Sequence, residues 1–338
     1  MQYLPALERA GFSVSVESLF DAAYLEALYA GRRNRTAIIA SYRRRIAALR
    51  RAAKTDLIWL EKEALPWFPA AAEQALVPAG VPIVADYDDA VFHRYDSHQS
   101  PLVRRLLGEK IAKVMKRADL ILAGNAYIGN YASRAGARSI EIVPTVVDKD
   151  AYDAAPQDGA AECVTVGWIG TPGTWRDCVI PLLPDILDGL RGLPANILAV
   201  GAGESLGEAP LLEVRAWSEK REAADIRDMD IGIMPLPDTP WMRGKCGYKL
   251  IQYMASGLPV IASPVGVNAD IVEHGVNGFL ASSAKEWHVA LQTLVRNPDL
   301  RRLMGQAGRE KVERSYCLDV QGPRVVDLLT GLARSGKA

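Results

Sequence analysis

Short apolar runs rich in β-branched residues recur along the chain, each separated from the next by room for a helix. That alternation restricts the fold more than any other feature. Val81-Pro82-Ile83-Val84-Ala85, Leu120-Ile121-Leu122-Ala123-Gly124, Val164-Thr165-Val166-Gly167-Trp168-Ile169-Gly170, Asn196-Ile197-Leu198-Ala199-Val200 and Asp230-Ile231-Gly232-Ile233-Met234-Pro235-Leu236 are the clearest. Such runs leave no polar face for water, so they belong inside parallel sheets covered by helices on both sides. Ser13–Leu19, Asp56–Leu60 and Ile140–Pro144 are read as further strands. The class is therefore α/β with parallel sheets.

The length of 338 residues suits two units of ~150. A polar, Ala-rich stretch, Asp150–Ala161, carries Pro156 and Gly159 and reads as the linker, giving domains 1–155 and 160–316. Met1–Gly11 reads as the first helix of an α/β half whose preceding strand and Gly-rich turn are missing, as if the chain start were truncated. Formal net charge is zero, so no global basic field invites nucleic acid. Cys163, Cys178, Cys246 and Cys317 are scattered without a CxxC and read as free thiols of a reducing cytoplasm. No apolar run approaches the ~20 residues of a membrane span, and no signal peptide is visible. No His/Cys spacing suggests zinc.

The stretch Lys245–Ala262 holds the densest functional signal. Gly247 frees the backbone ahead of a short helix, Gly257 suits its left-handed stop, and Leu258–Ala262 is a buried strand. A loop that opens a helix beside such a strand aims backbone N–H groups outward and suits a diphosphate. A plain packing unit would use the same architecture.

Gln252-Tyr253-Met254-Ala255-Ser256-Gly257-Leu258-Pro259-Val260-Ile261 resembles the donor-site signature of retaining glycosyltransferases of the group-1 (family 4) type. Ser263-Pro264-Val265-Gly266 and Glu273–Leu280 extend the resemblance. It implies a GT-B fold, with two Rossmann-like domains facing a central cleft. On that reading the first strand of the N-terminal domain is missing here, and a C-terminal helix, 317–338, is expected to return to that domain. It also implies transfer of a sugar, of the hexosyl type, from a UDP- or GDP-linked donor to a saccharide or lipid-linked acceptor. Transfer would proceed with retention, without a metal or cofactor, in polysaccharide biosynthesis. Two family carboxylates are absent: Gly244 and Gln252 stand in their places. Gln252 can still hydrogen-bond a ribose diol, without charge assistance. These losses keep a binding or accessory protein open as an alternative, beside a GT-B epimerase.

The resemblance assigns donor binding to Gly170, Arg176, Gly201, Lys245, Cys246, Gly247, Tyr248, Lys249 and Gln252. Arg176 offers a planar guanidinium for the diphosphate, or is surface charge; Lys249 is a phosphate contact or part of a solvated face. In the first half, Asp86-Tyr87-Asp88-Asp89 follows a strand at its carboxyl end, where open α/β sheets bind ligands. Asp88 and Asp89 are the catalytic candidates, orienting an acceptor hydroxyl, or else they cap a helix. Glu61, Lys62 and Glu63 end another strand and are placed at the same cleft, with His93 and His98 nearby. The stretches 32–54 and 103–117 read as basic amphipathic helices. They would suit peripheral contact with the inner face of a membrane, or are solvated helices packed on a sheet.

Overall fold

The computed structural model describes residues 2–21, 24, 35–152, 163–203 and 211–335. Residues 32–34 of the first basic stretch and most of the expected linker lie outside this set. Contacts divide the chain into two units, Tyr3–Val143 with Gly322–Ala338, and Pro144–Gln321.

The first unit is built on a four-stranded sheet of β1 (Ile58–Glu61), β2 (Ile83–Tyr87), β3 (Leu120–Ala123) and β4 (Ile140–Ile142), in that order. Every pairing is parallel. All of β3 is buried, as its unbroken apolar sequence requires. Leu7 of the helix Leu4–Arg9 and Val325 and Leu329 of the helix Leu318–Ser335 pack on Val84, Leu120 and Leu122. Arg324 fixes that last helix to β4, donating to the carbonyl of Ile142 at 2.8 Å and to Glu141 at 2.7 Å.

Two expectations fail in this unit. Ser13–Leu19 forms no strand. Its valines alternate with polar residues, but Val14 and Val16 are 40% and 49% exposed, so the period-2 pattern has no core to face. The stretch 103–117 is not one basic helix. It is two, Pro101–Leu107 and Lys110–Arg117. Lys110 opens the second and is no solvated cation: it is 1% exposed and paired with Glu63.

The second unit holds six parallel strands in the order β10-β9-β8-β5-β6-β7. They are β5 (Val164–Ile169), β6 (Ala195–Val200), β7 (Leu212–Arg215), β8 (Ile231–Met234), β9 (Val260–Ala262) and β10 (Gly278–Leu280). Because β5 touches both β6 and β8, the winding direction reverses between β5 and β8. The helix Ala284–Arg296 begins with a capping box, Ser283 with Glu286. Hydrogen bonds from the Ser282 and Ser283 backbone and the Ser282 hydroxyl hold the Glu286 carboxyl down at about 2. The helix Pro298–Ser315 sits on the end of Tyr248–Ala255 so closely that a Cβ at Gly305 would lie 1.8 Å from the carbonyl oxygen of Gly257.

Two parallel sheets with interleaved helices make the molecule α/β with two Rossmann-like units, the GT-B class of fold.

Candidate functional site

Open α/β sheets bind ligands outside the carboxyl ends of the strands, where the winding reverses. In the second unit that point lies between β5 and β8, and one side chain splays it. β5 pairs with β8 only at Val166↔Ile231 and Gly167↔Gly232, although β5 runs on to Ile169. The fully buried Tyr253 lies against Gly232, where a Cβ would meet its ring at 2.3 Å. Its hydroxyl accepts the Ile169 N–H at 3.0 Å. The buried donor is thus satisfied without a ladder partner, and the two strands part beyond it. Burial pushes the Tyr253 phenol well above its ordinary pKa, so it stays neutral.

The backbone beyond β5 and β6 comes together beside this opening. Gly201 has φ 77°, and a Cβ there would stand 2.2 Å from the carbonyl oxygen of Gly170. Lys249 lies over the same floor: a Cβ at Gly170 would meet its Cε at 2.8 Å, and its Nζ is 5.6 Å from the Trp168 ring centroid. The structure thus brings Gly170, Gly201 and Lys249 to one place.

Gly247 has φ 69° and opens the helix Tyr248–Ala255 without a side-chain cap. A Cβ there would lie 2.3 Å from Ile271 Cδ1, so both conformation and space demand glycine. Lys245 stands 5.8 Å from the Trp241 ring centroid. Cys246 is buried. Burial raises the pKa of the Cys178 thiol, while Lys249 and Lys245 both pull it down, so the two ammonium groups act on one spot. Lys249 also borders Gly170 at the end of β5, so the Lys245–Lys249 segment carries cations beside the switch point, a setting that suits a diphosphate.

Arg176 takes a different position from the lysines. Its side chain is 72% exposed, and its Nε donates to the neighbouring Asp177 at 2.8 Å. Gln252 is 2% exposed and already engaged. Its Nε2 donates to the Tyr152 hydroxyl at 2.8 Å and to Glu222 Oε1 at 2.6 Å. Tyr152 donates to the same Oε1 at 2.8 Å, and Trp217 Nε1 donates to Glu222 Oε2 at 2.8 Å. A carboxylate therefore does stand beside position 252, supplied by Glu222. Sequence reading missed it because nothing local links residues 152, 222 and 252.

The first unit presents a second group at the carboxyl ends of β1 and β2. Lys62 Nζ pairs with Asp88 Oδ1 at 2.8 Å. Burial works against the Lys62 charge, but Asp88 prevails and raises its pKa. Beside them, burial pushes the Asp86 carboxyl up to about 7, reinforced by the charges of Asp88 and Glu61 against a hydrogen bond from Trp59 and the charge of Lys62. Asp89 lies in the following turn, where its carbonyl accepts the Val91 N–H at 2.8 Å.

The loop that carries Lys62 is strained and clamped. Lys62 and Trp67 have φ 66° and 65°, a conformation disfavoured for side-chain-bearing residues. Glu73 holds the loop by accepting the Ala64 and Leu65 N–H groups at 3.0 and 3.1 Å. Lys110 binds Glu63 and the Leu65 carbonyl, and Tyr95 donates to Glu63 at 2.9 Å. Glu63, expected at a cleft, is instead a buried strut. His93 bonds Asp96 at 2.9 Å and Tyr127 at 2.8 Å, while His98 lies against Trp67. Among the described residues no group of three or more His, Cys, Asp and Glu side chains is arranged to hold a metal ion.

Residues 165–297 match the family model described as glycosyl transferases group 1. No curated protein matches the sequence. Among solved structures, the sucrose-phosphate synthase (tll1590) from Thermosynechococcus elongatus superposes with a TM-score of 0.70 at 17% identity, covering 90% of this chain and 81% of its own. Anabaena Alr3699/HepE in complex with UDP-glucose gives 0.70 at 18%, covering 93% and 90%. A glycosyltransferase from Rickettsia africae ESF-5 gives 0.66 at 13%, covering 98% and 93%. At these identities the likeness is one of fold. The family match spans β5 to the end of the helix Ala284–Arg296, and so includes the splayed strands and the Lys245–Lys249 loop.

Proposed function

We propose that this chain transfers a sugar from a nucleoside-diphosphate donor to a saccharide or lipid-linked acceptor, and that the second unit binds the donor. The observation that carries this reading is the opening at the β5–β8 switch point. Tyr253 parts the strands there, the glycine backbones of Gly170 and Gly201 form the floor, and Lys249 lies across it. The group 1 family match over the same segment supports it, as does the fold shared with HepE, whose structure was solved with UDP-glucose.

The residues divide the work by charge. Lys245, Lys249 and the backbone of Cys246, Gly247 and Tyr248 face the diphosphate and stabilise it as it leaves. Arg176 would have to release Asp177 to join them. Gln252 lies on the ribose side, with Glu222 supplying the nearby negative charge. The leaving diphosphate takes the acceptor proton on the face it departs from, which gives retention without a metal or cofactor. Asp88 and Asp89 orient the acceptor hydroxyl, with Lys62 fixing Asp88. No helix among the described residues is long and apolar enough to cross a membrane. The arginines of Arg35–Arg51 and of Pro101–Leu107 offer peripheral contact with anionic lipid on the cytoplasmic side.

The test is nucleotide release from UDP- and GDP-linked hexoses, with and without a glycolipid extract as acceptor. Acceptor-dependent release is expected. Conversion of the donor sugar without release would identify an epimerase, and binding without either reaction an accessory protein.

A further inference from the structure

Trp217 follows β7 at the carboxyl edge of the donor-side sheet, and half of its indole is open to water. An exposed ring is ordinarily free to turn, yet this one is tied. Its Nε1 donates to Glu222 Oε2 at 2.8 Å. The carboxylate is itself fixed through Oε1, which receives the Tyr152 hydroxyl at 2.8 Å and the Gln252 amide at 2.6 Å. Gln252 is 2% exposed and anchored in the helix that opens at Gly247. A chain of hydrogen bonds thus runs from the buried side of the site outward to the indole and sets its plane.

The side chain leaves the backbone beside the glycine floor. A Cβ at Gly201 would lie 3.1 Å from Trp217 Cβ and 2.2 Å from the Gly170 carbonyl oxygen. Gly201 therefore lies between Trp217 and the switch-point loop, and any side chain there would intrude on both. Lys249 also borders Gly170. A cation, a glycine floor and an aromatic side chain held in one orientation are thus neighbours at one sheet end. A nucleoside diphosphate likewise joins phosphates, a sugar and a base.

We infer that Trp217 is the stacking platform for the donor's nucleobase and that Glu222 is the positioning residue that locks it. This rests on the donor-site reading above. Stacking on an aromatic face accepts every base, because every base has a π-face. The platform therefore supplies affinity for the nucleoside and leaves the choice of base to other contacts. A carboxylate has about four acceptor positions, and three donors from the described residues reach Glu222. Two of these donors fix the carboxylate, and the third is the indole that it holds.

Titration calorimetry on the full chain tests this with UDP, GDP and inorganic pyrophosphate as separate ligands. Trp217→Ala should weaken the better-bound nucleotide roughly ten- to a hundred-fold, within the range of stacking measured by alanine substitution. Pyrophosphate binding should stay unchanged, which also shows that the variant is folded. Trp217→Phe should retain most of the nucleotide affinity. Glu222→Ala, which frees the indole, should lose less than Trp217→Ala. Equal nucleotide affinity in wild type and Trp217→Ala would overturn the platform and leave the donor site standing. Binding of neither nucleotide by the wild type would overturn both.

Discussion

At the scale of single residues, Tyr253 marks the place where β5 and β8 part. Replacing it with Phe removes only a hydroxyl but strands the buried Ile169 N–H. Tyr253→Phe should cost about 1–3 kcal/mol, read as a lower urea midpoint at unchanged slope. Gly247→Ala adds a methyl at φ 69° against Ile271. It should lower the melting temperature and weaken nucleotide binding together, with a stability cost of roughly 1–3 kcal/mol. Asp86 predicts a pH effect. Its folded-state pKa, about 7, lies above that of an unfolded carboxyl. Between those values the native state holds a proton that the unfolded chain has lost, so this residue makes stability fall as pH rises toward 7. Asp86→Asn should flatten the pH dependence of the melting temperature across that window; an unchanged profile would contradict the assignment. At this scale the sequence was uneven in what it disclosed. Gly247 and Gly257 were legible as punctuation because only backbone conformation was at stake. Glu222 was not, because its meeting with Gln252 and Tyr152 spans 30 and 70 positions and leaves no local pattern.

Among elements, burial decides what can be read. Ile231–Met234 is buried throughout and announces itself as a continuous apolar run. Leu212–Arg215, at the sheet edge, keeps Glu213 and Val214 exposed and escaped notice. Ser13–Leu19 misled for the opposite reason, since alternation without a core makes no strand. The loop after β1 shows an element whose shape comes from elsewhere. Between its two positive-φ residues, Lys62 and Trp67, it is held by Glu73 and Lys110, from two separate helices. Lys110→Met would leave the buried Glu73 without its cation and Glu63 with only the half-exposed Arg94. It should destabilise the first unit by about 3–5 kcal/mol and loosen the loop, detected as faster amide exchange at Ala64 and Leu65. Retained protection at both amides would contradict the clamp.

For the whole molecule, two parallel sheets divide the chain into units, each with its own core. The class was legible because the strands alternate with helical segments along nearly the full length. The place of the site within the second unit was legible only in part. Lys249 and the glycine loops follow from strand ends, but the parting of β5 from β8 needed the fold. The central claim is that this parting receives a nucleoside diphosphate. The measurement that tests it most directly is thermal unfolding with UDP or GDP, set beside the same scan for the Lys245→Ala/Lys249→Ala double variant. A ligand at a hundred times its dissociation constant stabilises its native partner by about 2.7 kcal/mol. The account predicts a clear rise in melting temperature with one nucleotide, abolished in the double variant. No rise with either nucleotide, or a rise that survives loss of both lysines, would contradict it.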